Sequence, residues 1–125
     1  IAVALEKEET CLAMIDLVGS IHAVVEIARA HAGLVPMAVA SGGTRKVIEL
    51  VLHRLRIRDL FQAVVTSEDV LRQKPAPDIF LEAALRLGVD PTECRAYEDT
   101  DLGMQAIRTA GMEAVDVRRI SSAGR

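Results

Sequence analysis

The sequence predicts an α/β domain built on a mainly parallel β-sheet. Two observations support this prediction: helical and strand-like segments alternate from Ile21 onward, and the strand-like segments are short and continuously apolar. Strands of that kind are typical of parallel sheets covered on both faces, whereas a sheet with one wet face alternates polar and apolar residues. With 125 residues the chain has room for one domain, or part of one, but not for two.

Each element has its own local signal. Apolar residues at helical spacing predict a helix over 22–32 that ends at Gly33, and the apolar run 37–40 predicts a strand. Residues 1–18 are predicted as a helix with a charged patch, and 121–125 as a frayed tail. The other predicted elements are a helix over 47–55, a strand over 61–66, a helix from Pro77 to Gly88, a strand over 94–97, a helix capped by Thr100 or Asp101 that ends at Gly111, and a strand over 114–117.

Composition excludes several function classes. The chain is 50% hydrophobic and 26% charged with a net charge of −3, which is too apolar for a disordered protein. Aromatic residues make up 2%, and no basic run is longer than Arg118-Arg119, which argues against a nucleic-acid partner. No apolar stretch approaches the roughly 18 residues that a membrane-spanning helix needs, so no membrane partner is expected either. The two cysteines cannot make a disulfide framework or a zinc site, and we expect a cytoplasmic protein.

Two polar clusters follow predicted strands in a way that suits anion binding. Ser41 and Gly42 leave the first of these strands, where a hydroxyl and unhindered backbone N–H groups precede a helix. A tight turn with a helix cap would look the same. Lys74 lies in a loop that Pro75 and Pro77 stiffen, so its ammonium group is aimed more definitely than that of most surface lysines. A solvated loop lysine is the alternative.

Paired acids follow a third strand. Glu98 and Asp99 are adjacent carboxylates at the end of a predicted buried strand, where they repel one another unless a cation or several donors share them. Mg²⁺ suits such a pair because it prefers hard oxygens and takes one or two protein carboxylates with water and phosphate. Alternatively, the acids only complement the dipole of the following helix.

The order of the three clusters favours a common site. Lys74 follows Ser41 by 33 residues and Glu98 follows Lys74 by 24, and one helix with one strand covers such a distance and returns the chain to the same sheet edge. A hydroxyl, an ammonium group and an acid pair would then surround a phosphoryl group. Phosphoryl chemistry requires mainly positioning and charge neutralisation, which these groups supply.

These segments resemble motifs of the haloacid dehalogenase-like superfamily, in its β-phosphoglucomutase-like branch of sugar-phosphate phosphatases, including fructose-1-phosphate and 6-phosphogluconate phosphatase-like proteins. The resemblance rests on four segments: VASG at 39–42, QKPAPDIF at 73–80, YEDTDLGMQA at 97–106 and AGM at 110–112.

The resemblance implies a Rossmann-like core and a set of residue roles. Ser41 and Gly42 would bind phosphoryl oxygens, Lys74 would neutralise charge on them, and Glu98 and Asp99 would hold Mg²⁺ directly or through water. Asp78 would serve the fold of the loop.

One family motif is absent from the sequence. The family's first strand ends in Asp-x-Asp-Gly-Thr, whose first aspartate attacks phosphorus to form an aspartyl-phosphate, and no such segment occurs here. By the resemblance, residues 1–20 would be the end of a helical cap and its return to the core, and 21–125 an incomplete core. We therefore expect a fragment that is inactive alone. We also expect a gap at the sheet centre, a strand from another chain there, or closure of the flanking strands; an oligomer through the incomplete sheet is possible.

The resulting hypothesis is a Mg²⁺-dependent phosphatase whose substrate is a small phosphorylated sugar. A phosphosugar mutase of the β-phosphoglucomutase type uses the same core and is the first alternative. A non-catalytic phosphate-binding module is the second.

Overall fold

The computed structural model describes residues 2–4, 11–13 and 21–119, and it confirms an α/β fold. The strands are β1 (Ala2–Ala4), β2 (Cys11–Ala13), β3 (Met37–Ser41), β4 (Ala63–Thr66), β5 (Cys94–Glu98) and β6 (Glu113–Asp116). The helices are α1 (Ile21–His31), α2 (Arg45–Arg54), α3 (Asp78–Leu87) and α4 (Asp101–Thr109). No helix in the described ranges is long and apolar enough to span a membrane.

Local signals set the helix ends as predicted. Pro77 precedes α3, and Gly88 ends it in the left-handed conformation with φ of 72° while its N–H bonds back to the last turn. Thr100 caps α4 by accepting a hydrogen bond from the N–H of Gly103 at 3.0 Å. The strand predicted over 61–66 begins at Ala63, because a 3₁₀ turn at Arg58–Leu60 precedes it.

The prediction for the amino-terminal residues was wrong where the structure describes them. Ala2–Ala4 and Cys11–Ala13 are strands and not parts of a helix. They lie between β3 and β5, so the sheet has neither the predicted gap nor closed flanking strands, and the chain's own residues pair there. Backbone groups of β3 and β5 require partners in a buried sheet, which favours extended backbone in this position.

The rest of the amino-terminal prediction lies outside the described residues. This holds for the remainder of the helix expected over 1–18 and for the tail at 121–125. The assignment of residues 1–20 to the end of a helical cap stays a prediction.

The strand order brings the carboxyl ends of the long strands to one edge. The sheet order is β4-β3-β1-β2-β5-β6; β3 pairs in parallel with β4, and β5 in parallel with β6. Both β3 and β5 run parallel to β2, so they also run parallel to each other. The chain passes outward from β3 to β4 on one side and from β5 to β6 on the other. The position between β3 and β5 is therefore the topological switch point at which such sheets bind ligands.

Polar residues enter the core only at that edge. Strands β3 and β4 are buried at every residue, so the sheet is covered on both faces. Among the described residues, the buried polar side chains are Ser41, Thr66 and Glu98, which are the last residues of β3, β4 and β5. Apart from the half-buried Arg95 of β5, the interiors of β3, β4 and β5 are apolar, so the fully buried polar side chains gather where these strands end.

Asp69 ties three elements together next to this edge. Its Oδ2 accepts hydrogen bonds from the backbone N–H of Thr66 at 2.8 Å and from the guanidinium of Arg45 on α2, and its Oδ1 lies 3.5 Å from Arg86 on α3. Burial raises the pKa of Asp69, but the hydrogen bonds from Thr66 and the charges of Arg45 and Arg86 outweigh it and lower that pKa below its ordinary value.

We expect Asp69→Asn to lower the free energy of unfolding of the whole protein by about 2 kcal/mol at pH 7, because charge-assisted hydrogen bonds are lost. The folded-state pKa is lowered, so this stabilisation is complete above the unfolded pKa of about 3.9 and disappears as pH falls through the folded value. Denaturant titrations should therefore show different free energies of unfolding for wild type and Asp69→Asn at pH 7, and closely similar ones at about pH 2.

Asp59→Asn is the matched control, since Asp59 is exposed, and it should change stability by less than about 0.5 kcal/mol. Equal stability of Asp69→Asn and wild type at pH 7 would contradict the role of Asp69.

Candidate active site

A buried ion pair forms the centre of the candidate site. Lys74 Nζ lies 2.7 Å from Glu98 Oε2, with the Lys74 side chain 13% exposed and the Glu98 side chain fully buried. The Lys74 ammonium group also lies 5.4 Å from the ring centre of Phe80, within cation–π range. Thus the loop before α3 and the end of β5 meet at the sheet edge where their sequence order placed them, but the direct ion pair between Lys74 and Glu98 was not predicted.

Hydrogen-bond donors surround the buried Glu98 carboxyl group. Burial raises the pKa of the Glu98 carboxyl, but the charge and hydrogen bond of Lys74, together with hydrogen bonds from Asp99, outweigh burial and hold that pKa below its ordinary value. Its Oε1 accepts hydrogen bonds from the Asp99 N–H at 2.9 Å and from the Thr100 hydroxyl at 3.3 Å. Both carboxylate oxygens therefore have protein donors, which offset the cost of burying the charge.

Gly103 makes room for this carboxylate. It lies in the first turn of α4, and a Cβ at this position would overlap the Glu98 carboxyl group. Helix α4 can therefore approach the end of β5 closely only because residue 103 is glycine. Close packing against Glu98 thus explains why the YEDTDLGMQA segment has glycine at residue 103.

The two predicted acids differ in what they can bind. The Glu98 oxygens already accept three hydrogen bonds, one of them from an ammonium group that would repel a cation. Asp99 is half-buried and its side chain also hydrogen-bonds with Glu98, but the Lys74 ammonium group is paired with Glu98, so Asp99 is the better candidate of the two for a hard divalent ion. No group of three or more His, Cys, Asp or Glu suited to a metal occurs in ranges 2–4, 11–13 and 21–119. The acid pair would hold a cation together with water and substrate oxygens.

Ser41 and Gly42 lie at the same sheet edge. Ala38 and Ala96 both pair with Ala2, so Ser41, three residues further along β3, is level with Asp99. The buried Ser41 Oγ accepts a hydrogen bond from the Gly43 N–H at 3.4 Å, whereas Gly42 is exposed. In the described part of the chain no hydrogen bond joins Ser41 or Gly42 to the Lys74–Glu98 pair, so the edge holds two separate groups.

Asp78 has the structural contacts expected of it. Its carboxylate accepts hydrogen bonds from the backbone N–H of Arg72 at 3.3 Å and from the Arg72 guanidinium at 3.0 Å. These bonds close the loop that carries Lys74.

Sequence reasoning missed the turn after β4. Thr66 is fully buried, and Thr66 and Asp69 form a reciprocal capping box around the 3₁₀ turn Ser67–Asp69. The pattern Thr-x-x-Asp at 66–69 was available as a signal. The contacts of this turn with Gly43 and Gln73 had no signal in the sequence, because they join residues distant along the chain.

Comparisons with known proteins identify the family. The family model of the haloacid dehalogenase-like hydrolases matches residues 2–111. Fructose-1-phosphate phosphatase YqaB of Escherichia coli is 44% identical over 119 residues, which cover 94% of this chain and 62% of that protein. Beta-phosphoglucomutase of Bacillus subtilis is 49% identical over 67 residues, which cover 54% of this chain and 30% of that enzyme.

A solved structure shows the same architecture. The beta-phosphoglucomutase of Clostridium difficile superposes with a TM-score of 0.65 at 28% identity, covering 78% of this chain and 42% of that one. The chain thus spans less than two thirds of the length of each of these relatives.

We expect Gly103→Ala to destabilise the protein by about 3 kcal/mol, because the added methyl group would displace the Glu98 carboxylate or the first turn of α4. Chemical denaturation of the whole protein measures the effect. Gly42→Ala is the matched control, since a Cβ there would meet nothing within 4 Å. If the two variants were equally stable, the close packing of α4 on Glu98 would be refuted.

Proposed function

The chain belongs to the haloacid dehalogenase-like hydrolase family, and from that premise we propose that the protein containing it is a phosphatase that hydrolyses a small sugar phosphate. The observation that carries the proposal is the buried Lys74–Glu98 pair at the switch point of the sheet. A cation fixed there by a buried acid suits a dianionic phosphoryl group, because its position is set before the substrate arrives.

Each residue at the edge has a role in this proposal. The Lys74 ammonium neutralises charge on the phosphoryl oxygens, and Glu98 holds it in position. The Ser41 hydroxyl and the Gly42 N–H donate hydrogen bonds to the same oxygens. Ser41 is suited to this because its Oγ already accepts the Gly43 N–H, which leaves its proton free to donate.

Mg²⁺ is part of the proposal, with Asp99 as its direct protein ligand and Glu98 acting through water or through Lys74. When bound, the ion would supply positive charge to the phosphoryl oxygens. A site with one or two carboxylates and several water or phosphate oxygens is usual for this ion.

We propose that the attacking carboxylate comes from a segment outside these 125 residues, since the sequence contains no Asp-x-Asp-Gly-Thr. An aspartate oxygen forms a bond to phosphorus while the bond to the sugar oxygen breaks, and the second aspartate of the same Asp-x-Asp-Gly-Thr segment, as general acid, gives its proton to the leaving sugar oxygen. Water then cleaves the aspartyl-phosphate to inorganic phosphate. The 125-residue chain alone is therefore proposed to be inactive.

A phosphosugar mutase is the second candidate. It is favoured by the 49% identity to beta-phosphoglucomutase, but that likeness covers 54% of the chain. The 44% identity to a fructose-1-phosphate phosphatase extends over 94% of the chain and supports the phosphatase more strongly.

The proposal is tested by measuring phosphate release from a panel of hexose phosphates by the whole protein. We expect release from at least one, and none from the 125-residue chain alone. Lys74→Ala should reduce kcat/KM by at least about 10²-fold, since a positioned charge at the transition state is lost.

Lys46→Ala, which removes the same charge from an exposed position on α2, is the control and should leave activity unchanged. Isomerised sugar phosphate without phosphate release would identify a mutase, and neither product would refute the enzymatic proposal. Near-normal turnover of Lys74→Ala would refute the role of Lys74.

The metal assignment has a separate test. Asp99→Asn should raise the Mg²⁺ concentration for half-maximal activity by at least about tenfold, a loss typical even of outer partners of a metal site. Asp101→Asn removes a neighbouring carboxylate whose side chain is 93% exposed, and it should leave the Mg²⁺ requirement unchanged. An unchanged requirement in Asp99→Asn would contradict the assignment.

A further inference from the structure

The turn after β4 lies between the two halves of the candidate site. The backbone N–H of Ser67 donates to the carbonyl oxygen of Gly43 at 3.3 Å, and the Ser67 hydroxyl donates to the same oxygen at 3.1 Å. On its other side, the Ser67 carbonyl oxygen accepts a hydrogen bond from Gln73 Nε2 at 3.0 Å. Gln73 precedes Lys74, so one residue joins the loop of Ser41 and Gly42 to the loop of Lys74.

The turn itself is fixed to the body of the domain. The carboxylate of Glu68 accepts the backbone N–H of Arg45 at 3.2 Å, and Asp69 accepts both the Arg45 guanidinium and the Thr66 N–H. Because α2 begins at Arg45, these bonds tie the turn to the helix that follows Gly43. These hydrogen bonds therefore hold Ser67 in a defined position relative to α2, and through its own bonds Ser67 positions both loops.

The hydrogen bond from Gln73 is made at the surface. Gln73 is exposed, and an exposed glutamine can bond to water at almost no cost, so this contact adds little to stability. Its geometric effect is larger, because it restrains the residue next to Lys74, whose position matters at the scale of about 1 Å in a site that works by orientation.

We propose that Ser67 and Gln73 are positioning residues that set the spacing between the Ser41–Gly42 donors and the Lys74 ammonium group. This inference rests on the proposed function, since it assumes that both groups bind one phosphoryl group. Neither residue touches the phosphate. Ser67 acts through the Gly43 carbonyl, and Gln73 acts through the Ser67 carbonyl.

The test measures the dissociation constant for inorganic phosphate by calorimetry on the whole protein in the presence of Mg²⁺. Ser67→Ala and Gln73→Leu should each weaken phosphate binding by about three- to tenfold, the equivalent of one hydrogen bond. The melting temperature should stay within about 2 °C of wild type, so that the loss is not one of folding. Ser67→Thr keeps the hydroxyl and should restore wild-type binding.

Thr92→Ala is the matched control, because it also deletes a hydroxyl group that makes one hydrogen bond, here to Asp90 before β5, at the opposite edge of the sheet. It should leave phosphate binding unchanged. Gln73→Asn, a milder change that shortens the side chain without removing the amide, should weaken binding in the same direction as Gln73→Leu.

The double variant distinguishes a shared linkage from two independent effects. If Gln73 acts through Ser67, the loss in Ser67→Ala/Gln73→Leu should be smaller than the product of the single losses. A loss equal to that product, unchanged binding in both single variants, or a wild-type protein that does not bind phosphate would overturn the inference. A protein that binds phosphate with this linkage but hydrolyses no ester would refute the proposed phosphatase alone.

Discussion

The buried pairing of Lys74 with Glu98 is the interaction on which the rest of the candidate site depends. An isolated charge at either position would be costly to bury, so each residue requires the other and every available donor nearby. Meeting that requirement brings together a loop, the end of β5 and the first turn of α4. The elements at this edge are therefore mutually dependent, and a change in one is expected to reach the others.

Different parts of each long strand contribute to the core and to the candidate site. The bodies of β3, β4 and β5 contribute mainly small apolar side chains to the core. Among the described residues, the buried polar side chains are those of the final residue of each of these strands. Parallel pairing then places Ser41 beside Thr66, and Glu98 beside Asp116, at one edge. The same connectivity that covers both faces of the sheet thus gathers the polar groups at the switch point.

Most of the fold from residue 21 onward could be predicted, because helices such as α3 and buried strands such as β3 carry clear periodicity and end signals. The segments 2–4 and 11–13 could not, since three apolar residues have no period, and a strand there is favoured only by the backbone groups of β3 and β5 that require partners. The common sheet edge of Lys74 and Glu98 followed from strand order, but their direct ion pair did not. The roles of Ser67 and Gln73 did not, because they depend on hydrogen bonds between distant loops.

The glycine at position 103 also limits how the Glu98 side chain can move. With the first turn of α4 packed directly against the acid, the Glu98 carboxyl group has no room to move toward Gly103. Replacements at either Glu98 or Gly103 are accordingly expected to be poorly tolerated, because each residue fills the space that the other leaves.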